Sequence, residues 1–220
     1  MTQIFHPSMN TVSRVSIFGA VFFVLTSLLI VYGIFRSPYV TQVNVVQDQP
    51  VPFSHEHHVT GLGLDCRYCH TSVEKSSFAG IPPTETCMTC HSQIWTESKM
   101  LEPVRASLRD NEPIRWNRVH DLPDYVYFNH GIHISKGIGC TNCHGRVDKM
   151  PLMWKQEPLT MEWCLDCHRH PEKNIRPKED VFVMDWAPPV GKDRAALGKE
   201  LIKAYDVPVN RLTDCYTCHR

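Results

Sequence analysis

Apolar positions along this chain fall into two regimes. Between Arg14 and Arg36 the run VSIFGAVFFVLTSLLIVYGIF, Val15 to Phe35, holds 21 residues without a formal charge. As a helix rising 1.5 Å per residue it spans about 30 Å, the thickness of a bilayer's hydrocarbon core. The pattern predicts an uncleaved transmembrane anchor at 15–35, with residues 1–14 as a cytoplasmic tail. A cleaved export signal would have a shorter apolar region and a small-x-small cleavage site. A buried core helix would need more surrounding protein than the remainder offers. One arginine at each end barely orients the span. Beyond it the pattern changes. RSPYVTQVNVVQDQPVP, residues 36–52, carries three prolines and no helical period, and predicts an extended connector. Segments 92–110 and 192–205 have helical spacing, with Pro103 expected to divide the first. The stretches 177–191 and 206–212 read as proline-containing links. Long apolar–polar alternation is missing, so the head from residue 53 onward is expected to be irregular and α-helical.

Composition changes this picture at two residue types. Lys+Arg and Asp+Glu are both 23 in 220 residues, a balance that argues for no nucleic-acid partner. The ten cysteines and thirteen histidines stand out. Every cysteine lies in one of five units: CRYCH (Cys66, Cys69, His70), CMTCH (Cys87, Cys90, His91), CTNCH (Cys140, Cys143, His144), CLDCH (Cys164, Cys167, His168) and CYTCH (Cys215, Cys218, His219). Cys-x-x-Cys-His is the attachment signature of c-type haem: two thiols add to the porphyrin vinyls and the next imidazole reaches the iron. Four-cysteine zinc sites would use the first four pairs and strand Cys215 and Cys218, and neither zinc nor a disulfide scaffold needs a histidine after each pair. The reading is five covalently bound haem c groups. Haem c is attached on the outer face of an energised membrane, so the head is expected to be periplasmic or extracytoplasmic, on a single pass through the cytoplasmic membrane.

Eight histidines remain beyond the motifs: His6, His55, His57, His58, His120, His130, His133 and His170. His6 falls on the cytoplasmic side of the expected anchor. FSHEHHV and FNHGIHI each place two histidines three apart, shortly before a haem motif. On a helical turn such a pair shares a side while its rings reach different irons. His55, His58, His130 and His133 are therefore candidate distal iron ligands, with Phe53 and Phe128 expected to pack against porphyrin. His120 is the next candidate. His57 competes with its neighbours, His170 has a solvent-facing or propionate-bonding alternative, and Met150, Met153, Met161 and Met184 are sulfur alternatives. Phe128 follows Phe53 by 75 residues and Cys140 follows Cys66 by 74. Two dihaem modules are expected at about 53–100 and 120–178, with a fifth haem segment at 179–220, together a pentahaem domain at 53–220. The second and fifth haems, lacking a nearby spare histidine, are expected to recruit distant ligands. No catalytic residue is assigned, since all five motifs end in histidine.

The order of motifs carries a resemblance. PFSHEHHV, GLDCRYCH, PPTETCMTCH, RVHDLPDYVYFNHGIH, GIGCTNCHGRV, LTMEWCLDCHRHPE and DCYTCH together resemble the pentahaem cytochrome c subunit of alternative complex III. The modules separately resemble class III/c7-type multihaem cytochromes. The resemblance implies a multihaem cytochrome c head of class III/c7-like modules on a single N-terminal transmembrane helix. It further implies a non-catalytic electron-transfer subunit of a quinol:electron acceptor oxidoreductase. The partners implied are an iron–sulfur/molybdopterin-oxidoreductase-like subunit, quinol-binding multispanning subunits, and a monohaem cytochrome c or terminal oxidase. His120 then matches the family's VHDLP element, while His170 is a departure. A small membrane-anchored tetrahaem quinol dehydrogenase feeding a periplasmic reductase is the alternative, fitting five motifs less well.

Overall fold

The long apolar run folds as α1, Ser8–Arg36, a helix of 29 residues, in a computed structural model that describes residues 4–219. It starts before the uncharged run and takes in Arg14, so part of the expected tail is helical. His6 accepts a hydrogen bond from Ser8 N at 3.3 Å and lies 2.8 Å from Ser8 Oγ, just ahead of the first turn. The helix is apolar on every side. Ile17, Phe18, Val21, Phe22, Leu25, Leu28 and Leu29 are each more than half exposed, a surface that suits lipid and not water. This helix is the membrane anchor. Near its end the Arg36 guanidinium stands 4.9 Å from the Tyr32 ring centroid, a cation and aromatic of the kind favoured at the membrane–water interface. A second turn, α2, covers Pro38–Thr41, and Gln42 closes it at a left-handed φ of 57°. The connector expected to be extended over 36–52 is thus helical where it begins, because Pro38 fits a first helical turn.

A second compact unit begins at Val43. Its first residues are fastened and not free: Val43 bridges to Lys155 and Val46 to Trp154. Gln49 and Asn117 then clamp each other, Gln49 Nε2 donating to Asn117 O at 2.8 Å and Asn117 N to Gln49 Oε1 at 2.9 Å. Among the described residues the head has isolated bridges and no sheet. Its helices are short: α3 (Cys66–Cys69), α4 (Thr84–His91), α5 (Glu102–Asp110), α6 (His130–Ser135), α7 (Thr141–His144), α8 (Met161–Arg169), α9 (Arg194–Ala204) and α10 (Cys215–Cys218). A π-helical turn occupies Glu56–Gly61.

Pro103 corrects one expectation. It stands in the first turn of α5, behind a tight turn at Lys99–Leu101, where its missing N–H is one that no helix would use. It starts the helix and does not divide it. α5 then lies on α4, with Thr84 Oγ1 2.6 Å from Ser107 Oγ and a small core of Val51, Leu101 and Val104 against Cys87, Met88, Ile114 and Trp116. Elsewhere Met150, Ile175 and Val181 are the most deeply buried side chains. α9 presses on the turn Pro171–Lys173 so closely that a Cβ at Gly198 would overlap the Glu172 carbonyl. The apolar core is thin for a head of this length. That is the expected economy of a fold completed by its cofactors.

Candidate functional site

Each Cys-x-x-Cys lies within a helical turn: α3, the second half of α4, the start of α7, the middle of α8, and α10. Residues three apart on a helix share a face, so each thiol pair points to one side; His91, His144 and His168 continue the helix, while His70 and His219 cap their turns. Local caps set two of these turns. Asp65 accepts from Arg67 N ahead of α3, and Thr160 accepts from Trp163 N ahead of α8. Three of the motif imidazoles are held closely through Nδ1. His70 Nδ1 is 2.7 Å from Gly80 O, His168 Nδ1 2.8 Å from Leu212 O, and His219 Nδ1 3.1 Å from Tyr125 O. A backbone carbonyl holding Nδ1–H leaves the Nε2 lone pair for a metal, the usual arrangement around a ligating histidine.

The two Phe-x-His-x-x-His segments are the same structure twice. Phe53 meets His55 edge-on at 4.9 Å and stacks on His58 at 4.4 Å; Phe128 meets His130 at 4.8 Å and stacks on His133 at 4.4 Å. His58 Nδ1 lies 2.8 Å from Ser54 O, and His133 Nδ1 2.7 Å from Asn129 O. This match survives a difference in backbone, one segment being π-helical and the other α-helical. Each phenylalanine thus fixes two imidazoles.

Three of these imidazoles face motif imidazoles. His58 and His91 have ring centroids 6.3 Å apart, His130 and His144 6.4 Å, His133 and His168 6.2 Å. An iron bound by two opposed imidazoles at metal–nitrogen distances of about 2 Å would set the centroids roughly 6 Å apart. The residues present therefore fit haem iron. His55 shares a neighbourhood with His70, which lowers its pKa, after burial, to about 4. Its Nδ1 is buried without a hydrogen-bond partner, as is His120 Nε2. His120 lies 4.2 Å from His144 by ring centroids, too close for an iron between them. Burial first, then Lys155 and His130, push it down to about 4. His144 goes to about 3, chiefly by burial and then by His120 and His130. At neutral pH these rings carry the free lone pair that a metal requires. Burial likewise raises the Cys140 thiol to about 11 and the Cys143 thiol to about 12.

The remaining candidates separate cleanly. His57 is exposed and stacks with Trp95 at 6.1 Å. His170 lies at the end of α8, 3.7 Å from Glu172. Met161 is 65% exposed and Met150 is 1% exposed. Two contributors were not assigned from sequence, the carbonyls that orient the imidazoles and Arg176, one of several basic residues near the motifs, whose buried guanidinium bonds Thr141 Oγ1 and Asn142 Oδ1 between the cysteines of the third motif. The first had no signal in residue identity. The second had one, an arginine inside a region dense in haem motifs.

Five Cys-x-x-Cys-His turns, three of them with a facing imidazole, on a sheet-free helical head behind a membrane helix, define a multihaem c-type cytochrome with five covalently bound haem c groups. The family described as cytochrome c7 and related cytochrome c matches residues 126–220, the portion holding the last three motifs. Similarity extends further to the menaquinone reductase, multihaem cytochrome c subunit, of Nitratidesulfovibrio vulgaris strain Hildenborough, 32% identical over 202 residues, covering 91% of this chain and 80% of that protein. The chain belongs to this family of multihaem cytochrome c electron-transfer subunits.

Proposed function

We propose that the protein is the haem-carrying electron-transfer subunit of a membrane quinone oxidoreductase complex, with its head on the periplasmic, extracytoplasmic side of the cytoplasmic membrane. The three imidazole pairs at 6.2–6.4 Å, each ending on a haem motif, carry this reading. The haems supply one-electron carriers. The chain's own residues anchor them through ten thiols and occupy iron positions with imidazole, so that electrons pass without a substrate site at iron. In this reading His55 serves the iron of His70, His58 that of His91, His130 that of His144, and His133 that of His168. His120, whose ring packs 4.2 Å from that of His144, is left by elimination for the iron of His219. Its segment docks the fifth motif a few residues later, Tyr127 N donating to Cys218 O at 2.8 Å. The second haem's distant ligand is then His58, from upstream of the first motif.

By family resemblance the neighbours are quinone-binding multispanning subunits, an iron–sulfur/molybdopterin-oxidoreductase-like subunit, and a monohaem cytochrome c or terminal oxidase. That resemblance implies current running from quinol to an acceptor. The name of the Nitratidesulfovibrio protein favours the opposite direction, toward menaquinone. Purified complex decides between them: menaquinol either reduces the head, or reduced head delivers electrons to menaquinone. Intact mass should exceed the polypeptide by five haems. His58→Ala should leave all five attached, alter one low-spin EPR signal and open one iron to carbon monoxide. Carbon monoxide binding by the unsubstituted holoprotein would overturn the all-histidine assignment.

A further inference from the structure

The order of the haem sites in space differs from their order in the chain. Sites are numbered by motif, from Cys66–His70 as the first to Cys215–His219 as the fifth. Three links are local. The first and second motifs touch directly, Tyr68 Oη lying 3.0 Å from Thr89 Oγ1. The third and fourth meet where Asn142 Nδ2 donates to Asn174 O at 3.0 Å, Asn174 ending the turn that follows the fourth motif. The fourth and fifth meet where His168 Nδ1 lies 2.8 Å from Leu212 O, shortly before the fifth motif.

The decisive link joins the two modules, and it is reciprocal. The histidine turn of the first module docks on residues that follow the third motif: Glu56 N donates to Met150 O at 3.1 Å and Thr60 Oγ1 to Asp148 O at 2.5 Å. The histidine helix of the second module docks on residues that follow the first motif. There His130 N donates to Ser77 O at 3.2 Å and Gly131 N to Ser76 O at 3.0 Å. A Cβ on Gly131 would stand 3.0 Å from Glu74 O, so this contact is tight. Cys140 N bonds Val181 O, next to Phe182, whose ring lies under the Arg67 guanidinium at 4.6 Å. The first and third motifs are thus the pair at the junction.

From these contacts we infer that the haem sites run in the spatial order second, first, third, fourth, fifth, and that electrons are exchanged with outside partners at the second and fifth. This rests on the ligand reading proposed above. Exposure agrees with it independently. Of the ten cysteines, Cys90 of the second motif and Cys215 of the fifth are the exposed ones. Trp95, 59% exposed, flanks His91, and Tyr216, 83% exposed, sits inside the fifth motif. The third site, by contrast, has both of its cysteines partly covered. A chain-order path would have put the first site at an end and the second beside the third.

In the full-length holoprotein every native thiol is in a thioether, so Glu97→Cys provides a single attachment point beside the second site for a ruthenium tris-bipyridyl maleimide. Photoexcited label, regenerated by a sacrificial amine, injects one electron. His55→Met marks the first site and His130→Met the third, each by the spectrum of a methionine-ligated haem. The marker at the first site should be reduced at least tenfold sooner than the marker at the third. Arrival at the third site first, or simultaneously, would overturn the order. If neither substitution changes any haem spectrum, the ligand reading fails, and the order is then decided alone by iron positions from anomalous diffraction. An iron at the third site nearer to the first than to the second sustains it, and the reverse sinks it.

Discussion

Arg176 shows how much a single residue can carry here. It is 2% exposed, donates to Val183 O, Thr141 Oγ1 and Asn142 Oδ1, and stands 4.9 Å over the Trp186 ring. Its Nε is buried without a partner. Burial, and then Arg194, lower its pKa, yet guanidinium stays charged at any working pH. A fixed positive charge beside Cys140 favours the reduced state of the third haem. Arg176→Gln should lower that haem's potential in a redox titration and reduce stability by about 2 kcal/mol, through the neutral acceptors left unpaired. Arg176→Lys should keep the potential and lose part of the stability, since the fork is gone but the charge is not.

Asp148 behaves differently because it titrates. Its carboxylate takes two bonds from Arg146, at 2.8 and 2.6 Å, and the hydrogen bonds from Arg146 hold it below the ordinary carboxylate range. A depressed carboxylate contributes stability above its unfolded pKa of 3.8, and loses it as pH falls through the folded value. Asp148→Asn should cost about 1 kcal/mol at pH 7, discounted because Arg146 is half solvated. Denaturation curves of the two proteins should converge below the folded pKa; a constant gap down to acid pH would contradict the assignment.

At the scale of elements, the phenylalanine-anchored histidine turns are the working parts. Phe53→Leu keeps bulk but removes the ring that stacks on His58 and meets His55 edge-on. Its expected signature is a shift in the EPR g-values of two haems together, the first and second, and Phe128→Leu should do the same to the third and fourth. Packing at α9 is less forgiving than its exposure suggests. Gly198→Ala must push the helix off the Glu172 carbonyl, and should lower the thermal midpoint by the equivalent of 1–3 kcal/mol, about what overpacking costs. Much at this scale was legible from residues alone. The repeated Phe-x-His-x-x-His spacing announced two like turns, and the uncharged run at 15–35 announced α1. What could not be read was docking. Nothing in RSPYVTQ says that Pro38–Thr41 forms a turn, or that Val43 and Val46 find Lys155 and Trp154, because bridges between distant segments depend on which surfaces the rest of the fold presents. Pro103 was misread for a related reason. Proline is equally at home as a helix start and a helix break, and the choice was made by Leu101 and Val104 joining one core.

For the whole molecule, the five haem sites are unequal. Under the site order inferred above, loss of the third, by Cys140→Ser with Cys143→Ser, removes the central cofactor, and the head should fail to accumulate. Loss of the fifth, by Cys215→Ser with Cys218→Ser, should leave a folded tetrahaem protein, seen as a mass lower by one haem and an otherwise retained visible spectrum. Equal accumulation of the two variants would mean that the interior does not depend on its central cofactor. Motif count was plain in the sequence, but this ranking was not, since burial of Cys143 or exposure of Cys215 arises only once distant segments close around them.

The reciprocal docking also bears on how the chain is made. Thr60 closes on a residue 88 positions ahead, and His219 on one 94 positions behind. Contacts so far apart in sequence form late, because each must first close a long loop. During synthesis the first histidine turn has no surface to rest on until Met150 has emerged, so the segment around the first motif stays an open thread while α4 and α5 can already close on their own core. An open thread can cross a membrane and present its thiols one pair at a time, whereas a module that folded early would have hidden them.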